Sequence, residues 1–440
     1  MNLPLYLAKH VARGGTRSLS RTIISIAVAA VTISMATMVV ASALISGFKL
    51  EISDKIFGFW GHIHITADAA SYRILDSYNY PISNKQDFYP ALDTLGSITL
   101  DAYSGGLGEP GGPAETTRGG VDHIQQFIVL PGVASVYTPG ERLPVQEALI
   151  LKGIAEDYDW DSFGRYLTEG EVLRVTPDSV SRGIVISSIT AQRLQVGLGD
   201  RVDFTFIDRN LKERPRALRV TGIYKTGLEE YDRKFALVDI KQPRALLGWA
   251  DDQIGGFEVT VDHLEDLDAL SGYIHYQVLP QDLYGESIRK KIYQLFNWLD
   301  IQDHTWAIIL TLMVIVAIIN MMTALLILIL ERTNMIGTLK ALGQSNWSIR
   351  QIFLYYAAFI VVGGLLLGNA TGLLLCWIQK TFGLVHLDEA SYYLSVAPIN
   401  VEWGTVLLLN VGTFVITLLF LVVPSYLVTR VDPVRAIRFK

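Results

Sequence analysis

Two histidines stand one residue apart in Gly61-His62-Ile63-His64-Ile65-Thr66, an H-x-H that a strand would turn to one face. Such a pair could grip zinc, but zinc sites usually take three or four protein ligands, and no cysteine or third histidine lies nearby in the sequence. The expectation is therefore structural histidines, with no metal and no cofactor. Catalytic patterns are missing from the rest of the chain. No G-x-S-x-G elbow and no GxxxxGK[ST] loop occurs, so neither a triad hydrolase nor a P-loop ATPase is encoded. Cys376 is the single cysteine, which leaves no intrachain disulfide. The most suggestive short segment is Glu331–Ile349 (ERTNMIGTLKALGQSNWSI). There Met335, Ile336, Leu339 and Leu342 recur at helical spacing, Arg332 and Lys340 turn elsewhere, and Gly343 supplies a stop. An amphipathic helix of that kind binds a partner groove or a membrane surface, or serves as a turn-back connector at the interface.

That segment lies between long apolar stretches. One runs from Ile23 to Ile45, and three crowd the end at Trp306–Leu330, Ile352–Ile378 and Thr405–Val428. Each is long enough to cross a bilayer as a helix, which takes roughly 20 residues. The Ala41-Ser42-Ala43 triplet has the look of a signal cleavage site. A signal core runs about 7–15 residues, however, and this run is longer and continues past the triplet, so an uncleaved anchor is expected. Lys9, Arg13, Arg17 and Arg21 precede the first stretch; Arg332, Lys340 and Arg350 follow the second; Arg430, Arg435, Arg438 and Lys440 end the chain. The loop after the third holds Lys380 against Asp388, Glu389 and Glu402. Basic loops stay in the cytoplasm, so both termini and 331–351 are expected inside. The expected divisions are 1–22 cytoplasmic, 23–46 first span, 47–304 outward domain, 305–330 second span and 331–351 coupling loop. Then come 352–378 third span, 379–404 outer loop, 405–428 fourth span and 429–440 cytoplasmic tail.

No Asp, Glu, Lys, Arg or His falls inside the four stretches, unlike ion-coupled transporters. Asn320, Asn369 and Asn410 are the strongest polar groups there, expected to bond between helices. Gly364, Gly368 and Gly372 recur every four residues beside Gly363, the pattern of a close-packing face. A net charge of −6 gives no reason to expect nucleic acid.

In the outward region Leu44, Phe48, Ile52, Ile56 and Phe59 keep a helical rhythm, so the first span should continue as a stalk. Residues 61–66 alternate as a strand, and 101–120 read as a Gly-rich mobile loop. From Gly183 the pattern clears: a strand feeding a helix through Val196, a turn at 197–200, and a strand at Arg201–Ile207. A charged loop at Asp208–Pro215 and strands at Ala217–Tyr224, Phe235–Val238 and Gly256–Val261 follow. No fixed-period repeat is visible, and the domain is α/β or α+β.

These residues carry a resemblance. The chain resembles the FtsX-like/MacB-type permeases of ABC transporters, and within them the lipoprotein-releasing (Lol) branch. The likeness rests on SGFKLEISDKIFGFWGHIHI (Ser46–Ile65), GIVISSITAQRLQVGLGDRV (Gly183–Val202) and VTGIYKTGLEEYD (Val220–Asp232). It continues in ERTNMIGTLKALG (Glu331–Gly343), HLDEASYYLSVAPI (His386–Ile399) and PSYLVTRVDPVRAIRF (Pro424–Phe439). The resemblance implies four transmembrane helices in a 1+3 layout, with a large α/β (α+β) MacB-like domain between helices 1 and 2. It implies a bacterial inner-membrane subunit that pairs with a second permease copy, like or unlike, and with two copies of a separate ATPase. Arg332, Met335, Ile336, Leu339 and Lys340 would then meet that ATPase, with no catalytic role for this chain.

The same resemblance implies lipoprotein cargo and a periplasmic carrier. Met38, Ala41, Ile45, Phe48 and Ile52 share one helical stripe and are the candidate cargo-facing residues, the alternative being a stripe that packs only against other helices. A projecting hook greets the carrier in Lol systems; the matching stretch is Asp208, Arg209, Asn210, Leu211, Lys212, Glu213, Arg214 and Pro215, which is short. The competing readings are an FtsX-type regulator of a cell-wall hydrolase, which moves nothing, and a MacB-like exporter of other substrates. The outward region of roughly 260 residues favours transport, because such regulators carry smaller domains.

Overall fold

The computed structural model describes residues 18–70, 74–100, 115–137, 143–207, 212–388, 392 and 394–430. Its contacts separate two units. The first comprises Met1–Glu51, Trp298–His386 and Val396–Lys440; the second comprises Ile52–Asn297 and Leu387–Ser395.

The first unit is helical. Helix α1 (Ser18–Trp60) begins in it and continues without a break to Trp60, as the stalk rhythm required. Four helices are long and apolar enough to cross a membrane. A bilayer offers no water to satisfy open backbone, which is why each hydrophobic stretch is one unbroken helix. The glycine face of Asn346–Phe382 meets α1 at close range. Cβ atoms at Gly364, Gly368 and Gly372 would lie 2.7 Å from Val31 Cβ, 2.6 Å from Met35 Cβ and 3.1 Å from Val39 Cβ. The three glycines are therefore what let the two backbones approach. Val31, Met35 and Val39 are buried in the resulting core with Met321, Leu325, Phe353, Ala357 and Val361.

The second unit carries a ten-stranded mixed sheet. Its strands are β1 (Ile63–Ala67), β2 (Val121–Val136), β3 (Val145–Ile154), β4 (Leu167–Gly170) and β5 (Gly183–Ser187). They continue with β6 (Arg201–Ile207), β7 (Glu213–Tyr224), β8 (Phe235–Asp239), β9 (Gly256–Val261) and β10 (Leu283–Ser287). The order is β10-β1-β9-β2-β3-β8-β5-β7-β4, with β6 paired to both β7 and β2. Thus β2, β3, β8, β5, β7 and β6 pair in turn and close a ring. Leu130, Leu151, Ile184, Ile186, Phe204, Val220 and Val238 pack one buried core with α2 (Ser188–Leu194). Ser187 caps α2 by accepting Thr190 N–H, and Gly199 takes φ +86° in the turn that follows. The expected helix through Val196 thus stops at Leu194, with Gln195 left-handed at its end.

Two expectations need correction here. Glu213, Arg214 and Pro215 are not loop: they pair with Ile207, Phe206 and Thr205, so β7 starts four residues before Ala217. Only Lys212 of the expected loop remains between the strands among the described residues, 208–211 lying outside them. Glu115–Thr116, inside the expected Gly-rich loop, pair with Thr99–Leu100, while 101–114 lie outside the described residues.

The glycine face generates a paired prediction. Gly364→Ala should destabilise the helical unit by about 1–3 kcal/mol, the usual range for overpacking. Gly363→Ala meets nothing within 4 Å and should be neutral or stabilising, since alanine is the better helix former. Thermal unfolding of both variants in detergent checks the opposite signs; equal melting points would reject the close-packing face.

Candidate functional site

Three further helices complete the chain's apolar unit: α4 (Tyr293–Glu331), α6 (Asn346–Phe382) and α7 (Trp403–Ser425). Between α4 and α6 sits α5 (Thr333–Ala341), and α3 (Lys241–Leu247) belongs to the outward sheet. The segment at 331–351 is thus a helix, as its spacing required, and Gly343 takes φ +88° just past its end. Arg332 is its N-cap residue. Its apolar side is turned inward. Ile336 is fully buried, and Met335 and Leu339 pack partly buried against the same core. Lys340 Nζ donates to the Thr429 carbonyl at 3.2 Å, in the terminal turn α8 (Leu427–Arg430). Arg350, early in α6, stacks its guanidinium 3.9 Å over the Tyr426 ring. The connector is therefore tied to the end of the fourth apolar helix.

Of the expected docking face, Ile336 lies in this chain's own core, with Met335 and Leu339 partly buried beside it. The residues left outward are Asn334, Thr338 and Leu342, four apart and so on one face, followed by Trp347. Leu342 is 78% exposed and Trp347 56%. The sequence reading counted Leu342 with the inward side and passed over Trp347; a tryptophan in a polar connector was the available signal.

The expected cargo stripe is divided. Met38 is buried in the helical core and Ile52 is fully buried, so neither forms an open wall. Ala41, Ile45 and Phe48 are half-buried. The outward side of α1 is instead marked by Ile26 and Ile33. Beyond the stripe, Ser46 donates to Glu402 Oε1 at 2.5 Å and accepts from Asn400 Nδ2 at 3.0 Å. Lys49 lies 3.3 Å from Asp300 and 2.8 Å from Asp303. A Cβ at Gly47 would meet the Pro398 carbonyl at 2.6 Å, so glycine is required there.

Two of the three expected asparagines, Asn369 and Asn410, bond between helices. Asn369 Nδ2 donates to Asn410 Oδ1 at 2.7 Å and Asn410 Nδ2 returns the bond at 3.1 Å, joining α6 to α7. Asn320 is half-buried on α4. The H-x-H is structural. His62 Nδ1 accepts the Val261 N–H at 2.8 Å, and His64 Nε2 bonds the Trp60 carbonyl at 2.7 Å.

Comparison with known proteins now has a geometry to meet. The MacB-like periplasmic core domain family matches residues 24–275, and the FtsX-like permease C-terminal family matches residues 307–433. The chain belongs to this family of permease-type ABC transporter subunits: four membrane-crossing helices with a large α/β periplasmic MacB-like domain between the first and second. Among relatives, the lipoprotein-releasing system transmembrane protein LolE of Haemophilus influenzae is 21% identical, over 99% of both chains. LolC of Neisseria meningitidis serogroup B is 23% identical over 58% of this chain and 65% of its own length. The extracellular domain of the Gram-positive ABC-type transporter YknZ aligns with 51% of this chain and 99% of its own, at 12% identity and a TM-score of 0.30.

Burial gives the histidines a measurable signature. It holds His62 down at about 4, against 6.5 when solvated, and lowers His64 as well. Between those values the unfolded chain binds a proton that the native domain refuses. Stability is therefore fully present above pH 6.5 and declines as pH falls, by at most about 1.4 kcal/mol per unit for each such group. The melting temperature should drop from pH 7.5 to pH 5, and His62→Gln should shrink that drop. An identical drop in the variant would reject the assignment.

Proposed function

We propose that the chain is the permease subunit of an ATP-driven transporter that releases lipoproteins from the bacterial inner membrane toward a periplasmic carrier. The observation that carries this reading is the match to a lipoprotein-releasing relative over 99% of both chains, spans and outward domain together. No P-loop is encoded, so hydrolysis falls to a separate ATPase, two copies per complex, and a second permease copy completes the assembly. Both termini and the α5 connector face the cytoplasm, on the asymmetry of Lys and Arg.

In this reading α5 is the part that answers the motor. Its inner side, Met335, Ile336 and Leu339, couples it to the spans by packing, and Lys340 ties it to α8. Its outer side, Leu342 with Trp347, inserts into the ATPase, with Asn334 and Thr338 beside it. Buried apolar anchors dominate such contacts while rim charges add little. Arg332 sits at the rim. Acyl cargo needs apolar cover, since each buried CH₂ is worth roughly 0.8 kcal/mol. Ala41, Ile45 and Phe48 supply it on α1. The carrier meets the stretch from Asp208 to Lys212, which is short in the sequence.

Leu342→Asp and Trp347→Asp should each lower co-purification of the ATPase at least tenfold, with the permease still inserted and its melting point unchanged. Ile336→Asp should instead unfold the helical unit, because its charge would enter a dry core. Full ATPase retention by both exposed-site variants would reject the docking face.

A further inference from the structure

The second unit holds a buried charged row that the permease reading leaves unused. His64 on β1 lies opposite Glu258 on β9 and Glu286 on β10, and Glu258 lies opposite Gln125 on β2. Directly opposed residues share a face of the sheet. Lys152, from β3, joins this row: its Nζ lies 2.8 Å from Glu258 Oε1 and 3.0 Å from Oε2. Gln125 Nε2 donates to the same carboxylate at 2.7 Å. Lys152 and Glu258 are both essentially inaccessible to water.

The row is aimed at one end of one helix. The last carbonyls of any helix lack intrahelical partners, and the end carries partial negative charge. In α1 those carbonyls belong to Phe59 and Trp60. Lys152 Nζ donates to the Phe59 carbonyl, and His64 Nε2 donates to the Trp60 carbonyl. The ammonium also lies 4.8 Å from the Phe59 ring centre and 4.9 Å from the Trp60 ring. Burial lowers the Lys152 pKa, and Glu258 works against that shift to keep the charge. A buried pair is a poor device for stability alone, since apolar replacements of similar volume usually serve as well. Its use must lie in what it holds.

We propose that Lys152 and Glu258 are a positioning pair that clamps the last turn of α1 to the sheet. A displacement of α1 is then passed to the outward domain instead of being lost in fraying of that turn. This rests on the permease reading for its consequence, but the clamp itself is a property of the second unit.

The test uses the full chain with its ATPase in proteoliposomes carrying lipoprotein. Lys152→Met/Glu258→Leu removes both charges together and keeps the core apolar. Amide exchange at 57–61 should become at least tenfold faster, with β2 and β3 unchanged. ATP hydrolysis should stay within twofold, and lipoprotein release should fall at least tenfold. Unchanged exchange at 57–61 overturns the clamp; faster exchange with full release overturns its role.

Should that double variant unfold, a tether decides. A Cβ at Gly61 would lie 3.3 Å from Glu258 Cβ, near disulfide range, and the φ of +68° there is one a cysteine adopts only with strain. Gly61→Cys/Lys152→Met/Glu258→Cys, with Cys376→Ser, should release cargo when oxidised and fail when reduced. Equal release in the two states overturns the proposal. A wild-type complex that hydrolyses ATP but releases nothing rejects the permease reading instead, and exchange at 57–61 still decides the clamp.

Discussion

The helical unit depends on the contact between α1 and the glycine face of α6. Lipid tails are as apolar as leucine, so hydrophobicity alone gives membrane helices no reason to associate. Dispersion and close approach must do it, and each is short-ranged. Removing side chains at Gly364, Gly368 and Gly372 lets Val31, Met35 and Val39 fill the space. Once α1 and α6 are fixed, α4 closes over them through Met321 and Leu325. The fourth helix is joined by the reciprocal Asn369–Asn410 bond. That bond satisfies two amides that lipid could not, which is why asparagine is tolerated there.

The outward unit solves a different problem. Strand edges expose unpaired backbone, and β6 answers this by bonding to both β7 and β2. The sixteen-residue β2 makes this possible because its two ends serve different neighbours. Its first half pairs with β9 and its second half with β6. Gly132 sits at the changeover, where a Cβ would strike the Phe204 ring and the Thr205 carbonyl. The α1 terminus reaches this same sheet through Lys152 and His64, so a helix end meets a row of side chains drawn from five strands.

Much of this was legible in the sequence, and the failures have physical causes. Apolar length gave the four spans, and period-two alternation gave β6 and β9 to the residue. The small-residue spacing gave the α1 partner's face, since little else explains glycine every fourth position. The long strand β2 went unread because Pro131 and Gly132 break the alternation, though both tolerate the register there. Arg214 and Pro215 looked like loop because they are polar or helix-breaking, yet β7 is exposed along that stretch and is held by its pairing with β6 and by the Arg214 bond to the Leu246 carbonyl. The Lys152 charge in Ala-Leu-Ile-Leu-Lys-Gly-Ile-Ala was visible as an anomaly, but its partner lies 106 residues away and no local pattern names it. Similarly, an amphipathic α5 shows which side is apolar and not whether that side faces its own core or a partner.

In the proposed reading these pieces relay force. The apolar side of α5 packs on the spans, Leu342 beyond it is exposed, and the last turn of α1 meets Lys152 and His64 of the sheet. In that reading an external source of work and a cargo held at the membrane complete the layout. The decisive measurement is release of a fluorescent triacylated lipoprotein from proteoliposomes that hold this chain and its ATPase. Release that requires both proteins and hydrolysable ATP is the predicted result. An ATPase that binds the chain and turns over while lipoprotein stays in the membrane would contradict the account.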